Sequence, residues 1–206
     1  VTCVAWCRMA TQLRPKLRIL CLHGRCQTAA TFETKLERLR QKSAHFAEFV
    51  FIDGPVDLPL QHEERVNTKG WWAEGETRST ESVQVQEVLM ATLMQQGPFD
   101  GVLGFSEGGM VAQLVCHLAQ AEDVLSPWKV LRFCIVLAAP ALEGMTSSKI
   151  RSLHFASSKD TVVPIGESKR CAQAFSDAEW IEHEGGHIVP QRAEDVREVA
   201  SFLERC

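Results

Sequence analysis

The amino-acid sequence predicts one α/β domain built on a doubly wound, mostly parallel sheet with helices on both faces and no large cap domain. Three observations carry that prediction. Short apolar runs alternate with stretches of helical period from residue 16 onward. Most of those runs are continuously apolar, which suits strands covered on both sides rather than on one. Glycine and proline punctuate the ends of the runs, where the chain must turn. In such a sheet the crossovers are right-handed and ligand chemistry gathers at the carboxyl ends of the strands.

The elements follow in order. Lys16 to Leu22 reads as the first strand, stopped by His23 and Gly24, and a helical pattern follows from about Thr31 to Lys42. Phe46, Phe49, Val50, Phe51 and Ile52 make the next strand, broken by Asp53-Gly54-Pro55. Residues 54–82 are too long and polar for a plain connection, so this loop is expected to flank the active site. Val83 to Met94 is helical and ends at Gly97-Pro98, Asp100 to Phe105 is a strand, and Ser106 to Ala121 is helical. Phe133–Ala138 and Ser152–Ala156 are further buried strands. Helices over Pro164–Phe175 and Asp195–Leu203 enclose a last strand at Trp180–His183.

With no repeat or low-complexity tract, residues 16–206 read as a single domain behind an N-terminal extension, residues 1–15. Val1 to Arg8 precede Met9 and read as an unusual addition or a cloning remnant. The chain of 206 residues is 45% hydrophobic and 23% charged, enough apolar material for a sizeable core. Its net charge of -4 argues against nonspecific binding to nucleic acid or anionic lipid. Neither a membrane-length apolar run nor a secretory signal pattern is visible, so a cytoplasmic protein without stable membrane insertion is expected. The eight cysteines contain no CxxC pair, which predicts neither a disulfide framework nor a metal site. Cys21 and Cys134, inside apolar runs, read as buried small hydrophobes.

The chemistry-bearing residues begin with Gly104-Phe105-Ser106-Glu107-Gly108, a G-x-S-x-G motif lying between a strand and a helix. Glycines on either side remove side chains that would collide in a tight strand-to-helix turn, so Ser106 is the candidate nucleophile of an α/β-hydrolase fold. A serine hydroxyl needs a base. His187, in the glycine-rich loop after the last strand, is the candidate; His183, His154 and His117 are alternatives that strand or helix patterns would hold away from the strand ends. The carboxylate that orients the base should lie between serine and histidine on a loop after a strand. Asp160 fits, whereas Asp177 and Glu184 sit at element boundaries; taken alone, Asp160 also suits a turn or helix cap. The backbone N–H groups of Arg25 and Glu107 are the expected oxyanion donors, and His23 is expected to support its loop rather than act as a base. Cys26, next to Arg25, reads as either a partly exposed thiol near the site or a packed residue.

Leu20-Cys21-Leu22-His23-Gly24 followed by Gln27 and Phe32, Gly54-Pro55 with Pro59, Gly70-Trp71-Trp72, Gly97-Pro98-Phe99-Asp100-Gly101 leading into the serine motif, and Gly185-Gly186-His187 with Pro190 together resemble the FSH family of serine hydrolases. The likeness spans Lys16 to the C-terminus. It implies an esterase or thioesterase acting on a small-molecule acyl ester or thioester, with the triad roles on Ser106, Asp160 and His187 and with neither metal nor organic cofactor. Two positions depart from the family pattern. Glu107 stands where glutamine is common, and its carboxylate would either disfavour anionic substrates or point into solvent. Ala156-Ser157-Ser158 stands where a glycine is more usual. Trp71 and Trp72 are expected to wall an acyl pocket, or else to pack one on the core and one over the sheet edge; Met110 suits a core role. The expected substrate carries a medium or long acyl chain. A noncatalytic ligand receptor on the same fold, or a peptidase or amidase, are the competing readings.

Overall fold

A computed structural model describes residues 15–58, 68–120 and 127–206. The proposed N-terminal extension, apart from Pro15, and residues 59–67 of the long loop lie outside the described residues. Chain order is β1 (Leu17–Leu22), α1 (Ala29–Lys35), α2 (Glu37–Ser43), β2 (Ala47–Ile52), β3 (Val56–Leu58), β4 (Thr68–Gly70), α3 (Val83–Gln96), β5 (Gly101–Phe105), α4 (Glu107–Gln120), β6 (Phe133–Leu137), β7 (Arg151–Ala156), α5 (Ile165–Gln173), β8 (Ala178–Glu182) and α6 (Ala193–Glu204). Six strands form one sheet in the order β2-β1-β5-β6-β7-β8. Every pair in it is parallel.

Side chains alternate between the two faces of a strand, and here both faces meet apolar layers, which is why the strands read as unbroken hydrophobic runs. Leu20, Leu22, Val102 and Val136 pack towards α3, α4 and α5. Their neighbours Ile19, Cys21, Leu103 and Ile135 pack towards α1, α2 and α6. Cys21 and Cys134 are fully buried, and Met110 belongs to the core. The chain leaves β1 outward to β2 and returns to β5 on the other flank of β1, so the strand order reverses between β1 and β5. The loops after those strands therefore diverge from a common crevice.

Two elements differ from expectation. The helix expected over Thr31–Lys42 is divided at Leu36, whose φ of −93° and ψ of 7° leave helical geometry while its side chain drops fully into the core. Helix α1 is opened by Thr28, whose hydroxyl accepts the Thr31 N–H at 3.1 Å. The long loop is also less irregular than its composition suggests. It contains the antiparallel pair β3–β4, with Val56 opposite Gly70 and Leu58 opposite Thr68. Strands of three residues are too short to show an alternating pattern in sequence.

Candidate active site

Ser106 sits at the turn from β5 into α4 with φ 53°, a left-handed conformation that costs a residue bearing a side chain and is held here by its surroundings. The Ser106 N–H donates to the Leu137 carbonyl at 2.9 Å, and the Ser106 carbonyl accepts the Gly109 N–H at 2.9 Å. The turn is possible because its flanks are glycines. A Cβ on Gly104 would stand 2.0 Å from the Gly108 carbonyl oxygen, and one on Gly108 would stand 2.1 Å from the Leu22 carbonyl oxygen. Helix α4 begins at Glu107, so its first N–H groups and positive dipole end face the serine.

His187 lies on the loop after β8. Its Nδ1 is 2.7 Å from Asp160 Oδ2, and its ring is 4.8 Å, centroid to centroid, from Phe105, the residue before the serine. An acceptor at Nδ1 fixes the proton there and leaves the Nε2 lone pair available as a base. Asp160, only 8% exposed, lies on the loop after β7, and its Oδ1 accepts the N–H groups of Val162 at 2.8 Å and Val163 at 2.9 Å. Ser157 ties the two loops together. Its hydroxyl oxygen accepts the Lys159 N–H at 3.0 Å and the Gly186 N–H at 3.3 Å. Ser157, within the stretch that departs from the family pattern, thus supports the loop that carries the imidazole.

The alternative histidines are occupied elsewhere. His183 is buried, stacks on Phe155 at 3.9 Å and accepts the Gly185 N–H at Nδ1; burial pushes its pKa down. His154 is buried in the core between Ser152, Cys171 and Phe175, and burial pushes its pKa down to about 4. His117, on the far end of α4, meets Thr146.

On the opposite side of the crevice lies the loop after β1. His23 is fully buried: its Nε2 accepts the Gly54 N–H at 2.9 Å, so Nδ1 carries the proton and donates to the Gly24 carbonyl at 2.8 Å. Both ring nitrogens are committed, and burial lowers the pKa further. His23 therefore joins the loops after β1 and β2, and its carbonyl accepts the Trp71 Nε1–H at 2.8 Å to join a third. Cys26 follows in a left-handed conformation, φ 58°, and is partly exposed. Beyond it Gln27 pairs with Lys69 of β4.

Two expectations about this side are corrected. Trp71 and Trp72 are both 0% exposed and belong to the core beneath the α3–α4 face, so neither indole offers a free wall to an acyl chain. The physical reason is the β3–β4 hairpin, which turns Gly70-Trp71-Trp72 inward against the loop after β1; a Cβ on Gly54 would lie 2.3 Å from the Gly70 carbonyl oxygen. Nor does the Glu107 carboxylate point into solvent. It is 4% exposed, and its Oε1 lies 3.1 Å from Arg25 Nη1 and 3.2 Å from Arg78 Nε, while its Oε2 accepts the Trp71 N–H at 3.0 Å. Arg78 was invisible to sequence reasoning because nothing in its neighbourhood marks it; only the folding back of residues 71–82 brings it to Glu107. Among the described residues no group of histidine, cysteine and acidic side chains could hold a metal ion.

This arrangement coincides with a family. A model described as serine hydrolase (FSH1) matches residues 11–199, and the chain belongs to that family. It is an ester hydrolase of the α/β-hydrolase fold. Among its relatives, esterase OVCA2 of Bos taurus is 33% identical, aligned over 96% of this chain and 99% of its own. Esterase GA18864 of Drosophila pseudoobscura pseudoobscura is 32% identical over 94% of this chain and 73% of its own. Among solved structures, Zea mays acyl-protein thioesterase 2 superposes with a TM-score of 0.68 at 21% identity, covering 93% of this chain and 94% of that one.

Proposed function

We propose that this protein cleaves carboxylic esters or thioesters of medium or long acyl chains through a Ser106-His187-Asp160 triad and an acyl-enzyme intermediate. The observation that carries the reading is the 2.7 Å contact of His187 Nδ1 with Asp160, on an imidazole packed against the residue preceding a left-handed serine.

The chemistry follows from that arrangement. Ser106 Oγ attacks the acyl carbonyl carbon as its proton passes to His187 Nε2, and the carbonyl π electrons move onto the oxygen. The Glu107 and Arg25 backbone N–H groups stabilise that oxyanion. As the oxyanion reforms the carbonyl, the alcohol or thiol leaves with the proton from His187. His187 then takes a proton from water, the resulting hydroxide attacks the acyl-enzyme, and the acid departs as Ser106 regains its proton. Asp160, itself held by two backbone amides, stabilises the imidazolium formed in each half-reaction.

The acyl-chain part of the reading draws on the family and on neighbours such as the maize acyl-protein thioesterase; with both indoles buried, an apolar wall must come from other residues. A series of esters and thioesters from acetyl to decanoyl tests it. Rising kcat/KM with chain length in the wild type and loss of turnover in Ser106→Ala are expected. Equal turnover of acetyl and decanoyl esters would remove the chain-length claim, and full activity of Ser106→Ala would remove the triad.

A further inference from the structure

Glu107 carries a second feature that its backbone role does not explain. A carboxylate 4% exposed loses most of its hydration, a cost met only when partners surround it closely. Here three donors from three different segments converge on it: the Arg25 guanidinium after β1, the Trp71 N–H after β4, and the Arg78 guanidinium beyond. Arg25 also donates through Nη1 to the Trp72 carbonyl at 2.9 Å, closing the cluster on itself. The cluster therefore fastens the loop bearing one oxyanion donor to the helix bearing the other.

An uncharged glutamine would hold this cluster poorly. Its side chain has one acceptor oxygen and a donor NH2, so it can satisfy the arginines or the Trp71 N–H but not both sides, and it leaves two guanidinium charges uncompensated. The acid at position 107 is thus matched to the basic residues at 25 and 78. We infer that the Glu107 carboxylate is a positioning residue: an ionic latch that sets the distance between the Arg25 and Glu107 backbone N–H groups and so the quality of the oxyanion hole. The latch rests on the reading of those two amides as the oxyanion donors.

Oxyanion contacts form in the transition state, so a displaced donor lowers kcat with little effect on KM, whereas a purely stabilising ion pair leaves both unchanged in folded protein. The test is a cycle of Glu107→Gln, Arg25→Met and the double variant, assayed on one ester under conditions where each remains folded by circular dichroism. Arg25→Met keeps the backbone N–H and removes only the guanidinium. Each single variant is expected to lower kcat about tenfold to a hundredfold with KM within about twofold, as displacements of the order of 1 Å do. The double variant is expected to fall no further than the worse single one, because both substitutions break the same latch. Unchanged kcat in Glu107→Gln, or losses that multiply in the double variant, would overturn the inference. Should Glu107→Gln fail to fold, Arg25→Met carries the same reading, and undiminished kcat in it overturns the latch. Wild-type protein that turned over no ester would instead remove the underlying oxyanion assignment.

Discussion

The two sides of the crevice are built by opposite means. On the β7–β8 side, backbone amides hold side chains: Val162 and Val163 fix Asp160, and Asp160 fixes His187. On the β1–β5 side, side chains hold the backbone: His23, Arg25, Arg78 and Glu107 bind carbonyls, amides and one another until three loops are joined. The difference matches what each side supplies. On the proposed mechanism the first presents an imidazole that must keep one tautomer, and the second presents main-chain N–H groups that must keep one spacing.

The comparison can be broken most severely at Asp160. Asp160→Asn can still accept the Val162 and Val163 amides, but its NH2 would face His187 Nδ1 and favour the wrong tautomer. Steady-state kinetics should show kcat lower by about 10⁴-fold with unfolding free energy little changed; a loss below tenfold would mean that Asp160 is a structural cap. A smaller effect comes from the buried histidines, one in the core and two in the loops beside the site. His154, at about 4 against 6.5 in the unfolded chain, stays neutral in the native state while the unfolded state takes up a proton. Stability is therefore complete above about pH 6.5 and falls by about 3 kcal/mol as the pH drops to 4, with His23 and His183 acting in the same direction. Denaturant titrations across this window should show that slope, and His154→Gln should flatten it.

Finer changes separate the sides. Ser157→Ala strands two amide donors on the base side, and chemical denaturation should register a loss of about 1–3 kcal/mol. On the other side Trp71 and Trp72 are equally buried but differ in their indole N–H: Trp71 donates to the His23 carbonyl, while Trp72 Nε1 has no acceptor among the described residues. Trp71→Phe should therefore cost about 1 kcal/mol more than Trp72→Phe in the same assay; equal costs would show that the loop junction at His23 contributes little.

The sheet was legible because its strands are covered on both faces, so Gly101–Phe105 and Phe133–Leu137 read as unbroken apolar runs bounded by turns. The serine motif was legible for a related reason: its glycines are demanded by contacts with Leu22 and with α4 itself. Position in the chain also singled out His187 and Asp160, since each follows a strand. The inward turn of Trp71 and Trp72 was hidden because two adjacent indoles look alike whether they line a pocket or fill a core. The role of the Glu107 side chain was hidden for a deeper reason. Its partners lie at positions 25, 71 and 78, and only the return of the hairpin over the first loop brings them together. Local pattern reports what a residue's own element needs, not what a distant segment brings to it.

The central claim is that Ser106 is an activated nucleophile. Labelling with a fluorophosphonate probe, followed by mass spectrometry of the modified peptide, addresses it directly. The account predicts a single adduct on Ser106 in the wild type, absent from Ser106→Ala and strongly slowed in His187→Ala. Folded wild-type protein that takes up no label, or takes it up on another residue, would contradict it.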